Sequence, residues 1–305
     1  MLKGYIDLTK PKIIILLLIT ALGGLFLATE GIPNILIMLV VLIGGSLGAG
    51  GANAINHYLD RDIDEKMGRT KERPVVSGQI TPKHALIFGI SLNVLAFIVL
   101  WQGANLLSAI LTIIATLIYV FVYTIGLKRI TPQNIVIGGA AGSIPPMVGW
   151  AAVTGNIIDP APWLLFLIIF FWTPPHFWAL ALLIKDDYEK AEIPMLPVVK
   201  GIKNTKIQIF AYTWILLALI IASTYFTSAL SILFGVVGTI STLTFSFMAW
   251  QLISSEGITK AKIIEQLQDL GVCEGDILFV AADLLRVGYF NKSSDQTLKD
   301  WVEIF

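Results

Sequence analysis

Eight apolar runs, each long enough to cross a bilayer, dominate this 305-residue chain. They cover 13–29, 35–54, 85–102, 106–126, 135–153, 163–184, 209–227 and 232–253. A hydrocarbon core needs about 20 helical residues per crossing. Lipid offers no partner to a backbone N–H or C=O, so such runs must be helices that satisfy their own polar groups. The expected fold is an all-α polytopic membrane bundle of about eight transmembrane helices. Glycines interrupt several runs, as at Gly44, Gly45, Gly48, Gly50 and Gly51, and again at Gly138, Gly139 and Gly142. In a soluble helix each would cost about 1 kcal/mol. Between membrane helices they let backbones approach closely.

The 21 Lys and Arg residues give the bundle an orientation. Every one lies before the first run or after an even-numbered run. The segments near Glu30, Gln102, Asp159 and Ser228 hold none. Cationic side chains are retained on the cytoplasmic face, so both termini and the loops after the even runs are expected there, in the cell inner (cytoplasmic) membrane. No cleavable signal is expected, because Lys3, Lys10 and Lys12 precede the first run and no A-x-A-like site follows it. Only 14% of the residues are charged, against about 25% in soluble domains. That excludes a disordered or nucleic-acid-binding chain. The single cysteine, Cys273, excludes an intramolecular disulfide and a thiolate zinc cluster. Net charge is zero, so charge chemistry must be local.

The segment after the second run reads Asn56…Asp60-Arg-Asp62-Ile-Asp64…Arg69…Arg73. Asn56, Asp60 and Asp64 recur at i, i+4 and i+8, so one helix leaving the membrane would carry all three on one face. Like charges at that spacing repel, and a hard divalent cation relieves the repulsion. Mg²⁺ takes one or two carboxylates and completes its shell with water and phosphate oxygens. Arg69 and Arg73 stand where they can clamp those phosphates. A solvated acidic loop with compensating arginines has the same spacing. A second cluster, Lys185-Asp186-Asp187-Tyr188-Glu189-Lys190, follows the sixth run and shares its membrane face with the first. His176 lies inside that run after Pro174-Pro175; it is either hydrogen-bonded to a carbonyl freed by the prolines or a contact to substrate. Lys128-Arg129 opens the stretch to Pro145-Pro146, and either anchors the topology or touches the same phosphates.

With these motifs the chain resembles the UbiA superfamily of intramembrane aromatic prenyltransferases, whose first motif N-x-x-x-D-x-x-x-D matches Asn56, Asp60 and Asp64. Within it the chain is similar to the protohaem IX farnesyltransferases (haem O synthases). That likeness is carried by Met67, Arg69-Thr70 and Arg73-Pro74, by Leu127-Lys128-Arg129 with Thr131 to Gly142, by Pro175-His176-Phe177-Trp178, and by Ile193 to Val198. It covers about residues 4–250. The resemblance implies transfer of a farnesyl group from farnesyl diphosphate to a vinyl group of haem b, giving haem O, with hand-off to a haem A synthase or terminal oxidase assembly. It implies Mg²⁺ on Asn56, Asp60 and Asp64, and a second ion on Asp186 or Asp187. Arg69, Arg73, Lys128, Arg129 and Lys190 would contact diphosphate, and His176 would lie near haem as iron ligand or propionate partner. Asp60, Asp64, Arg69 and Lys128 are the residues expected to carry catalysis.

The chain departs from that pattern in three places. Asp186-Asp187-Tyr188 replaces the second D-x-x-x-D motif, Glu192 stands where the subfamily tends to have Gly, and eight runs are present where the family has nine. The composition changes near Glu256, dividing the chain into a membrane domain (1–255) and a soluble appendage (256–305). The latter resembles the opening of an aminoglycoside 3-N-acetyltransferase-type domain through Leu270-Gly-Val-Cys-Glu-Gly-Asp276. Two other functions use the same features. One is prenylation of another aromatic or quinone-precursor acceptor. The other is an ion-coupled transporter, which the loop position of the carboxylates disfavours.

Overall fold

The computed structural model describes residues 2–29, 31–227 and 230–254. The expectations for 256–305 fall outside the described residues. Helix α1 (Leu2–Thr9) precedes the first crossing, α2 (Pro11–Thr29). Crossing two is α3 (Ile35–Leu59), and the short α4 (Arg61–Lys66) follows it outside the membrane. Then come α5 (Pro82–Gly103), α6 (Leu106–Leu117) with its π-helical continuation Ile118–Leu127, and α7 (Asn134–Ser143) with α8 (Pro145–Thr154). The remainder is α9 (Pro160–Leu183), short α10 (Lys185–Lys190) and α11 (Leu196–Val199), α12 (Gly201–Phe226) and α13 (Ile232–Ser254). Eight helical stretches among the described residues are long and apolar enough to span a bilayer, and they coincide with the eight sequence runs.

Local chemistry sets the starts of these helices. Asn34, Thr81, Asn105 and Asp159 each accept a bond from a first-turn N–H through the side chain, and Pro82 and Pro160 occupy positions where a missing N–H costs nothing. The fifth crossing differs from its expected single run: it is two helices, because Pro145 opens α8 immediately after α7. It is also the crossing at the centre of the bundle, two-thirds buried where the others are a third or less. Its second helix, α8, touches α2 backbone to backbone. A Cβ on Gly149 would lie 1.9 Å from the Ala21 carbonyl oxygen, and one on Gly24 would lie 2.0 Å from that of Pro146. The outward faces carry exposed Ile, Leu, Val and Phe, as at Ile15, Ile43, Ile98 and Val237, the surface that lipid requires.

One apolar cluster ties together the loops that bear the charged motifs. Ile63 and Met67, from α4 and just after it, pack on Ile135 of α7, Ala181 of α9, and Ala191, Ile193 and Met195 beyond α10, with Tyr123 and Tyr188 against them. The two acidic segments are therefore neighbours in space.

Candidate functional site

The first motif is not on one continuous helix. α3 ends at Leu59 and Asp60 adopts φ −92° and ψ 7°, the junction from which α4 starts. The backbone pattern nevertheless continues, with Asp60 N donating to Asn56 O at 2.9 Å and Asp64 N to Asp60 O at 2.8 Å. Asn56, Asp60 and Asp64 are all buried, exposed by 3%, 0% and 2%. Buried charges are tolerated only when paired, and each carboxylate here has its cation. Lys128 Nζ lies 2.5 Å from Asp60 Oδ2. Arg73 Nη1 lies 2.7 Å from both Asp64 oxygens. Thr70 Oγ1 donates to Asp64 O and fixes the loop between them.

A third cation arrives from the N-terminal end. Lys10 joins α1 to α2 with φ 55°, in the left-handed region that side chains avoid, and donates from Nζ to Asn56 Oδ1 at 2.9 Å. Desolvation, then the Arg73 and Lys128 charges, lowers its ammonium pKa to about 7. In the sequence Lys10 was legible only as a topology anchor, because its partner lies 46 positions away.

The end of the fourth crossing supplies the rest of the wall through its wide turns. Thr124 Oγ1 donates to Tyr119 O, five residues back, and accepts from Asn56 Nδ2 at 3.2 Å; Lys128 N bonds to Tyr123 O, again five back. π-helical turns are rare and concentrate at functional sites. This one brings Thr124 and Lys128 against α3 together. Tyr119 and Tyr123 stack at 5.6 Å, in the electrostatic range of Asp60 and Arg73.

Two buried carboxylate oxygens are candidates to meet a cation. Asp60 Oδ1 and Asp187 Oδ1 have no hydrogen-bond partner among the described residues, an expensive state for a carboxylate. Hard divalent ions prefer such oxygens. Asn56 Oδ1 is taken by Lys10 and Asp64 by Arg73. No three His, Cys, Asp or Glu side chains among the described residues converge to form a metal site. A cation here needs oxygens from a ligand as well, which suits Mg²⁺.

The remaining candidates divide. Asp187 is buried, Asp186 partly so, and Lys190 is exposed at the end of α10. Tyr188, whose phenol is raised in pKa by burial and then by Tyr123, feels Arg69, Lys128 and Arg73, so α10 borders the first motif. Arg69 is exposed beside it. Arg129 turns away from the buried carboxylates and pairs with Asp62, whose carboxyl it holds below the usual range. His176 faces out of α9, stacked on Trp172 at 4.5 Å and edge-on to Phe177 at 5.6 Å. It is not held by a carbonyl freed by Pro174 or Pro175. Glu192, at the end of α10, has φ 57°, which is the conformation glycine adopts without strain.

The UbiA prenyltransferase family pattern matches residues 17–264. The chain is 48% identical over 255 residues to a protoheme IX farnesyltransferase of Synechocystis sp., covering 84% of this chain and 80% of that one. It is 54% identical over 219 residues to the protoheme IX farnesyltransferase of Roseiflexus sp., covering 72% of this chain but 41% of that longer protein. Among solved structures, a UbiA homolog from Archaeoglobus fulgidus bound to GPP and Mg²⁺ superposes with a TM-score of 0.66 at 18% identity, covering 99% of each chain. Digeranylgeranylglyceryl phosphate synthase superposes with a TM-score of 0.67 at 21% identity, covering 83% of this chain and 88% of that one. These two share the fold. The sequence matches go further, and by them the protein belongs to the UbiA prenyltransferase family as a multi-pass membrane enzyme of the protoheme IX farnesyltransferase group.

Proposed function

We propose that the protein transfers the farnesyl group of farnesyl diphosphate to a vinyl group of haem b, with addition of water, giving haem O and diphosphate. The observation that carries this reading is the buried cluster in which Lys10, Arg73 and Lys128 surround Asp60 and Asp64, with unpartnered oxygens on Asp60 and Asp187. Lys10, Arg73 and Lys128 bring N–H donors together around these carboxylates, which suits an anion rich in oxygens. Lys10, Arg73 and Lys128 bind the diphosphate, with Arg69 and Lys190 at the rim. The fit of oxygen donors favours Mg²⁺ on Asp60 and Asp187, with Asn56, Asp64 and Asp186 as further donors; when bound it offsets the charge that develops on the leaving diphosphate.

The reaction follows from what these side chains do. The C1–O bond of the farnesyl chain breaks, and the departing oxygens remain on Lys10, Arg73 and Lys128. Tyr119 and Tyr123 present stacked aromatic surface next to the allylic cation and keep water from it. The vinyl terminal carbon bonds to C1. Water then adds to the carbon next to the porphyrin ring and releases a proton. His176, which has no hydrogen bond to any described residue and is braced by Trp172 and Phe177, holds the haem as iron ligand. The excess of cations in these loops supports a site at the cytoplasmic face of the inner membrane, from which haem O passes to a haem A synthase or terminal oxidase assembly.

Incubating membranes that contain the protein with farnesyl diphosphate, Mg²⁺ and either haem b or 4-hydroxybenzoate tests the reading. Haem O from the first acceptor alone is expected. Prenylation of the second acceptor alone would replace this reading with a quinone-precursor prenyltransferase, and no product from either would refute both.

A further inference from the structure

Two consecutive cations at the end of the fourth crossing take alternate carboxylates of the turn after the second. Lys128 holds Asp60 in the interior. Arg129 lies across Asp62 outside it, Nη1 to Oδ2 at 2.6 Å and Nη2 to Oδ1 at 2.7 Å, and adds a longer contact of 3.4 Å from Nη2 to Leu59 O. The outer side chains are 43% and 58% exposed, where those of the inner pair are 13% and 0%.

The two pairs have different fates when substrate enters. Diphosphate oxygens compete with Asp60 for Lys128, and that competition weakens the inner pair as substrate enters. Were it the only polar link between the two loops, they would part as the substrate arrived. The outer pair faces water and takes no part in that exchange. Its fork-on-carboxylate geometry fixes direction as well as distance. We infer that Asp62 and Arg129 form an external latch that keeps the loops after the second and fourth crossings in register while the Lys128–Asp60 pair opens for diphosphate. Arg129 is then a positioning residue, acting through Lys128, and not itself a diphosphate contact. The inference rests on the proposed diphosphate site.

An exposed pair contributes little to global stability, so the latch should be visible locally. Asp62→Ala and Arg129→Ala should each raise KM for farnesyl diphosphate about two- to fivefold, with kcat changed less. Hydrogen exchange of backbone amides 60–70, measured without substrate, should quicken in each. The charge-exchanged double variant, Asp62→Arg with Arg129→Asp, should restore both KM and protection, which a lost diphosphate contact would not. Protection left unchanged in both single variants, or a double variant no better than Arg129→Ala, would overturn the latch. Wild-type protein that makes no haem O would refute the functional reading, and the substrate-free exchange measurement would still decide the latch.

Discussion

Lys10 occupies a strained backbone position in order to reach Asn56, so its loss should be felt in substrate binding before stability. A charge-assisted bond contributes about 1.5–3 kcal/mol. Lys10→Ala should therefore lower kcat/KM for farnesyl diphosphate by about 10- to 100-fold in steady-state assays; a change under twofold would remove Lys10 from the site. Thr124 is the neutral counterpart: its hydroxyl fixes the Asn56 amide and caps the Tyr119 carbonyl. Thr124→Val should lower kcat/KM about fivefold, and Thr124→Ser should restore it. Glu192 gives a prediction of opposite sign. It holds φ 57° after α10, with Ile193 N bonded back to Tyr188 O at 2.9 Å, the helix-ending turn that favours glycine. Glu192→Gly should raise unfolding stability by about 1 kcal/mol, read as a higher melting temperature in detergent.

At the scale of elements, the crossings were legible because about 20 apolar residues in a row leave few alternatives. Finer divisions were hidden where two structures share one composition. The π-helical turns of Ile118–Leu127 use the same apolar residues as an α-helix, so the sequence does not reveal the register that carries Thr124 and Lys128 to α3. The break at Asp60 was masked by a spacing of four that survives it. The pairing of Arg129 with Asp62 was equally hidden, since a cation beside an acidic loop reads as phosphate-binding until geometry shows which oxygen it touches. By contrast, the glycine preference at Glu192 was visible through the family likeness, and the backbone supplies its reason. Packing between elements gives its own test. Gly149→Leu would drive a side chain into the Ala21 carbonyl and separate α2 from α8; overpacking of this kind costs about 1–3 kcal/mol. The variant should melt earlier than wild type. An unchanged melting temperature would mean that the α2–α8 contact adds little to the fold.

Over the whole molecule, one asymmetry organises function: among the described residues, the loop cations and the buried acidic site lie at the same ends of the crossings. Orientation can be checked with single cysteines in a Cys273→Ser background. Ser77→Cys should react with an impermeant thiol reagent from the cytoplasmic side only, and Asn156→Cys from the opposite side only. The central claim is that this buried cluster of carboxylates and cations drives prenyl transfer to haem. Its most direct test is the mass of haem after purified protein is incubated with farnesyl diphosphate, haem b and Mg²⁺. A product heavier by one farnesyl group and one hydroxyl group is expected, abolished by EDTA and by Asp60→Ala in protein that still folds. The same product formed in EDTA, or by Asp60→Ala at near wild-type rate, would contradict the account.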